Sequence, residues 1–339
     1  MKTALYFAAE KGDRVKCGLC RHGCAIPDGK VGICRVRRNL GGVLDATTYG
    51  HASSIAPDPI EKKPLFHFMP GTHSLSLGSV GCNLNCGFCQ NWEISQEWGA
   101  RSTRKLSPEA VPMMARDNQC QSVSWTYNEP TMWYEFTLDA SRLLRKAGFP
   151  TVYVTNGYIA EEPLRELSKC LDAMNIDVKA FTEGFYSDLV KGKLSGVLET
   201  CELAHELGIH IELTYLVIPT KNDKEEELKG FSKWAAQSLS PDVPVHFSRF
   251  HPDYRLLDVP STPNSTLALA KTAALAEGLK YVYIGNIGHT DDENTHCPKC
   301  RALLVERWGF RVIKNRLKGG GCPDCGEKIS VVEKPGWIV

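Results

Sequence analysis

Ser74-Leu-Ser-Leu-Gly-Ser-Val80, followed directly by Gly81-Cys82-Asn-Leu-Asn-Cys86-Gly-Phe88-Cys89-Gln90, decides how the rest of this chain is read. The first run alternates small polar with aliphatic side chains, the period-2 pattern of a strand. The second is a loop carrying three thiols at the spacing C-x3-C-x2-C. Working outward, six more runs have strand character: Ser122–Tyr127, Thr151–Thr155, Ala173–Lys179, His210–Ile218, Val243–Phe250 and Lys280–Ile284. Helical stretches with legible ends separate them. Ser107 reads as an N-cap with Pro108 at the first helical position, a run opened by Thr131 stops at Gly148, and Leu198–Leu207 stops at Gly208. Strand and helix alternating in this way imply an α/β fold with a parallel sheet, either open and doubly wound or a complete or partial barrel. Ahead of it, Pro57–Pro70 holds four prolines and reads as an extended connector, which makes the N-terminal segment a separate appendage.

The chain has 339 residues, roughly two domains' worth of length. With 42% hydrophobic and 23% charged residues it has the composition of a folded globular protein, which excludes disordered, collagenous and coiled-coil classes. No run approaches the roughly 20 apolar residues of a membrane span. The short apolar stretch Ala4–Ala9 is no signal-peptide core, so a cytoplasmic location without a membrane partner is expected. There are 14 cysteines, and only Cys120, Cys170 and Cys201 stand outside three tight groups. In a reducing compartment grouped thiols read as metal ligands, and the three isolated ones as small buried apolar residues. Charge is unevenly placed: residues 1–45 and 297–339 each carry 9 basic and 4 acidic side chains, whereas the middle is acidic. Docking of the basic ends on the acidic middle is the favoured reading; a nucleic-acid partner is the alternative.

Three thiolates from one loop can hold three irons of a 4Fe-4S cluster and leave the fourth iron open. An amino acid can chelate that iron through its amine and carboxylate. If the amino acid is S-adenosylmethionine (SAM), an electron from the cluster breaks its sulfonium bond and releases an adenosyl radical. The other readings of the triplet are a structural zinc loop and redox thiols. With Phe88 just before its last cysteine, the triplet resembles the defining motif of radical SAM enzymes. Cys82–Gln96 and Thr126-Tyr-Asn-Glu-Pro-Thr131 are similar to the AmmeMemoRadiSam-system branch, related to pyruvate formate-lyase activating enzyme. The resemblance covers most of the chain and implies a partial (β/α) barrel of the radical SAM type.

It also implies roles, residue by residue. Glu129 and Pro130 match the acid and proline of the family's Gly-Gly-Glu-Pro motif, whose carboxylate receives the methionyl ammonium of the cofactor. Tyr127 and Asn128 stand where that motif has glycines, which bears on how closely the backbone can approach the cofactor. The alternative for Glu129 is an acid at a helix start. Asp177 and Lys179 resemble the pair that faces the ribose and carboxylate of the cofactor; an internal salt bridge explains them almost as well. Phe88, Asn128 and Asn156 join this cofactor-binding set, and His251 does so on loop position alone, against the reading of an ordinary satisfied histidine. No residue is assigned to the hydrogen-abstraction step.

Cys297-x2-Cys300 and Cys322-x2-Cys325 have the spacing of a zinc ribbon, with a rubredoxin-like iron as alternative. Cys17, Cys20, Cys24 and Cys34 close a fourfold site that fits zinc or an auxiliary iron-sulfur cluster equally. The expected organisation is a Cys-rich metal-binding module over 1–45, a radical SAM partial barrel over 46–290 and a zinc-ribbon-like module over 291–339. The expected activity, an oxidoreductase or lyase, is reductive cleavage of SAM to a 5′-deoxyadenosyl radical that takes hydrogen from an unidentified substrate. A glycyl-radical-enzyme activase is the first alternative. A non-catalytic metal-stapled module that binds RNA or protein is the second. Implied partners are a reductant such as ferredoxin or flavodoxin and, through the resemblance alone, Memo-like and AMMECR-like proteins.

Overall fold

A computed structural model of the chain describes residues 1–98, 103–288 and 290–333; the rest of the expected C-terminal module, 334–339, falls outside them. Its centre is one eight-stranded sheet: β1 (Ser54–Pro59), β2 (His73–Gly78), β3 (Ser122–Trp125), β4 (Thr151–Thr155), β5 (Ala173–Asp177), β6 (His210–Val217), β7 (Val245–Arg249) and β8 (Val282–Gly285). Strands β2 to β8 are the seven read from the sequence. They pair in parallel and in chain order, so that every crossover adds the next strand on the same side. β1 and β8 are the two edges, which makes the barrel partial.

β1 departs from the expected connector. It pairs antiparallel with β2 in the register Ser54↔Gly78 to Pro59↔His73. Pro57 and Pro59 are tolerated because an edge strand has one side without ladder bonds. Beyond it a 3-10 turn, Ile60–Lys62, leads the chain under the barrel.

Helices cover the outside: α1 (Ala110–Asp117), α2 (Tyr134–Lys146), α3 (Glu161–Leu167), α4 (Leu194–Glu206), α5 (Glu225–Trp234) and α6 (Asn264–Ala276). The outer face of the sheet is apolar, as in the packing of Tyr215 on Phe231 and Phe247. The inner face is polar. Ser74 and Ser124 share a hydrogen bond of 2.6 Å, and Thr214 donates to Asn175 at 3.0 Å. Ser107 and Pro108 form a turn ahead of α1, which begins at Ala110 without a side-chain cap. α2 is preceded by a 3-10 turn, Pro130–Trp133, and stops before Gly148 as expected.

The N-terminal segment is no detached appendage. Its Ala4, Val15, Leu19, Ile26 and Val36 belong to the same buried cluster as the barrel. Buried Arg37 makes a bidentate pair with Glu135 of α2, both bonds 2.7 Å; removing one partner of such a pair costs about 3–5 kcal/mol. Lys2–Asp139 and Arg21–Glu199 are further ion pairs to the acidic middle. At the other end, Arg307 lies against Glu61 and donates to the carbonyl of Phe66 at 2.8 Å. The basic ends dock on the barrel. Cys120, Cys170 and Cys201 are buried, as expected.

Residues 60–69 close the floor, the end of the barrel where the strands begin. Glu212 of β6 is fully buried and accepts from the backbone N–H of Phe66 and His67, at 3.0 and 2.7 Å, and from His210 and His246. His67 meets the Ser330 carbonyl through Nδ1 and the Tyr283 hydroxyl through Nε2, at 2.7 and 2.6 Å. The C-terminal strands Thr295–His296, Leu303–Trp308 and Arg311–Asn315 form a small antiparallel sheet whose core is shared with the barrel: Cys297 and Leu304 pack in one cluster with Phe66, Tyr281 and Tyr283.

Candidate active site

The strands end at a mouth that opens as a cleft of about 590 Å³. Cys82, Cys86 and Cys89, from the loop after β2, stand in its wall together with Phe88. Asn128 and Glu129 after β3, Asn156 after β4, and Asp177 and Lys179 at the end of β5 line the same space. His251 does not line it. It reaches the cleft through Gln90, whose amide lies 3.1 Å from its Nε2.

Burial dominates the three thiols. It pushes Cys82 well above the usual range, helped by the charge of Glu129, and Cys86 up to about 12 against the opposing Lys179. Cys89 is raised too. A metal bound here would displace those protons, so its loading would release protons. Around Cys82 the donors are in place: the N–H of Leu84 at 3.4 Å and the side-chain amide of Asn156 at 3.5 Å.

Glu129 is 4% exposed, and its carboxylate accepts four hydrogen bonds. Three reach Oε1, from Thr131 N, Thr131 Oγ1 and Thr155 Oγ1, at 3.0, 2.6 and 2.8 Å. One reaches Oε2, from Asn156 N at 2.8 Å. All four donors are neutral. Burial raises the carboxyl above the usual glutamate range, opposed by the donors on Asn156, Thr131 and Thr155. The capping geometry is therefore real, yet no basic side chain among the described residues pairs with this buried acid.

Tyr127 takes the place of a glycine and keeps a glycine's conformation, φ +73°. A non-glycine residue there is strained and needs an anchor. Its hydroxyl donates to Asp58 at 2.8 Å, and the Lys63 ammonium lies 5.0 Å from its ring centre. Asp58 also takes Lys62 and Lys63 at 2.8 and 2.7 Å. Asn128 spends its side chain on the backbone, accepting from Ser79 N and donating to the Gly81 carbonyl. It fastens the cysteine loop to the end of β3.

Asp177 and Lys179 form the salt bridge that was the alternative reading, at 2.9 Å, and both side chains border the cleft. Burial lowers the Lys179 ammonium, but the charges of Asp177 and Cys86 outweigh it and the net shift is upward. Reading the sequence missed Lys63, Gln90, Gln96 and Phe310 in the cleft wall. Lys63 has no local spacing signal, whereas Gln90 and Gln96 lie within the Cys82–Gln96 segment without a spacing of their own. Phe310 comes from the turn between two C-terminal strands, so the distal module contributes to the mouth.

Comparison with known proteins settles the class. Residues 77–231, from β2 through the cysteine loop to α5, match the Radical SAM superfamily. The chain belongs to the radical SAM superfamily. It is 46% identical over 335 residues to the uncharacterized protein MJ0808 of Methanocaldococcus jannaschii, which covers 98% of this chain and 100% of that protein. Among solved structures, SuiB of Streptococcus suis bound to S-adenosylmethionine is 14% identical with a TM-score of 0.50, over 67% of this chain and 53% of that one. A radical SAM methyltransferase from Sphaerobacter thermophilus is 16% identical with a TM-score of 0.50, over 64% and 67% of the two chains. At these identities the structures speak for the fold alone. Membership makes this radical SAM chain an enzyme whose class uses a 4Fe-4S cluster, SAM and a reductant.

Proposed function

We propose that this radical SAM enzyme, of the AmmeMemoRadiSam branch, binds its cluster on Cys82, Cys86 and Cys89 and its cofactor across the mouth from Glu129 to Lys179. The observation that carries the reading is Glu129: a buried carboxylate, held by four neutral donors beside the cysteine loop, is complementary to an ammonium group. The donor set fits the cluster as well. Three thiols line the cleft, and no fourth cysteine joins them among the described residues, which leaves one iron for an amino acid's amine and carboxylate.

When bound, the cluster and SAM supply reductive cleavage to methionine and a 5′-deoxyadenosyl radical. The protein's part is binding, orientation and exclusion of water. Glu129 takes the methionyl ammonium on Oε2, which has a single donor. Asn156 ties that acid to the cluster loop, its N–H on Glu129 and its amide on Cys82 and Asn83. Asp177 faces the ribose hydroxyls, and Lys179 faces a carboxylate. Asn128 and Phe88 shape the cofactor's approach. His251 orients Gln90 at the rim. The four C-terminal thiols hold structural zinc.

Anaerobically reconstituted protein incubated with SAM and dithionite should release 5′-deoxyadenosine and methionine. Absence of both products from protein with a full cluster would overturn the proposal.

A further inference from the structure

The two outer cysteine groups have the same number of thiols and different shapes. In the C-terminal group Cys297 and Cys325 are 3.6 Å apart, Cys300 and Cys322 likewise, and all four sulfurs lie within 4.8 Å of one another. Metal–sulfur bonds of about 2.3 Å put the sulfurs of a tetrahedral site about 3.8 Å apart and leave no space at the centre. That cage is closed on a single ion. Among the described residues no other group of thiols converges so tightly. Cys17, Cys20, Cys24 and Cys34 instead line a small cavity of about 10 Å³, and Leu19, His22 and Arg37 are among the other residues of its wall.

We propose that these four thiols hold a second 4Fe-4S cluster, which passes electrons to the cluster on the Cys82 loop. A cubane takes four thiolates set apart, each for one iron, and these four line one cavity without converging as the C-terminal set does on a single ion. The chain is bent for it, with Cys17 N–H on the Cys24 carbonyl at 2.9 Å, Gly23 N–H on Cys20 at 3.1 Å and Arg35 N–H on Gly32 at 2.8 Å. Arg37 supplies an independent sign. Its two terminal nitrogens are taken by Glu135, whereas its Nε is buried without a partner in a residue that borders the cavity. A buried donor left unmade is costly, and a sulfur of a cluster seated there is the acceptor it lacks.

Four protein ligands leave no open iron, so this cluster has no position for substrate and serves one-electron transfer. Its place supports that use. Asn83, next to Cys82, stands in the cavity wall, and its carbonyl lies 2.7 Å from His22 Nε2. Its side-chain oxygen accepts from the same Asn156 amide that reaches the Cys82 sulfur. At Gly81, where φ is +89°, a Cβ would come within 3.2 Å of the Cys34 carbonyl and 2.7 Å of Val36. The two cysteine segments touch back to back. One electron from a reduced flavodoxin takes the N-terminal cluster from the 2+ to the 1+ state, and its transfer inward restores 2+ as the catalytic cluster is reduced. This last step rests on the proposed function; the presence of the second cluster does not.

The full chain, purified anaerobically with its metals, should contain about eight irons and one zinc. The triple variant Cys82→Ala/Cys86→Ala/Cys89→Ala should keep about four irons, with a Mössbauer spectrum of a 4Fe-4S cluster and a reduced EPR signal that SAM does not alter. Two zincs in the full chain, or a triple variant with two irons or none, would overturn the site. If the triple variant keeps four irons but the full chain never cleaves SAM, the proposed function falls and the second cluster stands. For the relay, Cys20→Ser/Cys34→Ser should lower the ratio of flavodoxin-driven to dithionite-driven cleavage at least about tenfold; an unchanged ratio overturns the relay. Mössbauer and metal counts on the unmodified chain decide the site even if that variant does not fold.

Discussion

Two glutamates are buried in the same barrel and their carboxyls are shifted in opposite directions. At the floor, burial alone would raise Glu212, but His210 and His246 hold it well below the usual range, and two backbone N–H groups complete its shell. At the mouth, Glu129 has as many donors and no cation, and burial leaves it raised. A buried charge with its partners supplied is structural. One whose donors are all neutral is open to a cationic ligand, so the mouth stores the electrostatic imbalance that the floor has removed.

The largest expected effect is at the cysteine loop beside Glu129. Cys82→Ala, Cys86→Ala or Cys89→Ala should each abolish formation of 5′-deoxyadenosine while circular dichroism keeps the barrel signature. Full turnover in any of the three would remove the loop from the chemistry. Next comes the floor: Glu212→Ala leaves two histidines and two N–H groups without their acceptor and should cost about 3–5 kcal/mol in denaturant unfolding. A loss below about 1 kcal/mol would mean that the floor charge carries no stability.

His67 sharpens the comparison through pH. Burial lowers its pKa to about 4, whereas the unfolded chain takes up that proton near the ordinary histidine value of 6.5. Stability should therefore be lost as pH falls from 6.5 toward 4, on the order of 3 kcal/mol over the window. Unfolding curves of His67→Gln should be flatter there than those of the unmodified chain; parallel curves would assign the slope to other groups. At the mouth, Glu129→Gln removes one charge-assisted contact of about 1.5–3 kcal/mol, so the SAM dissociation constant should rise tenfold to a hundredfold. Unchanged affinity in calorimetry would return Glu129 to its capping role. The smallest effect belongs to His251, which acts through Gln90: His251→Ala should change cleavage by less than about twofold, within the cost of one exposed hydrogen bond.

Much of this was legible because it is local. β-branched and aliphatic runs gave away the seven parallel strands, and the thiol spacing marked the loop that enters the mouth. Several predicted strands overran by one to three residues, as Ala173–Lys179 did beyond Asp177, because apolar residues next to a strand continue its pattern after the ladder has ended. β1 was hidden by prolines, which a central strand would refuse and an edge accepts. The floor was invisible for another reason. His67 and Glu212 are 145 positions apart, His67 and Tyr283 are 216 apart, and no short window holds both partners. The left-handed turn at Tyr127 was likewise masked, since its anchor Asp58 lies on a different element.

Val332 closes a short bridge with Phe68: Met69 N–H reaches the Val332 carbonyl at 2.7 Å, and Val332 N–H reaches the His67 carbonyl at 2.8 Å. During synthesis, residues 67–69 leave the ribosome more than 260 residues before this partner does. The barrel floor thus waits until Val332 has been translated, and the side of the mouth that Phe310 completes waits for that residue. A nascent chain can bury the cysteine loop before it can finish the cleft around it, which separates in time the burial of the three thiols from the completion of the mouth.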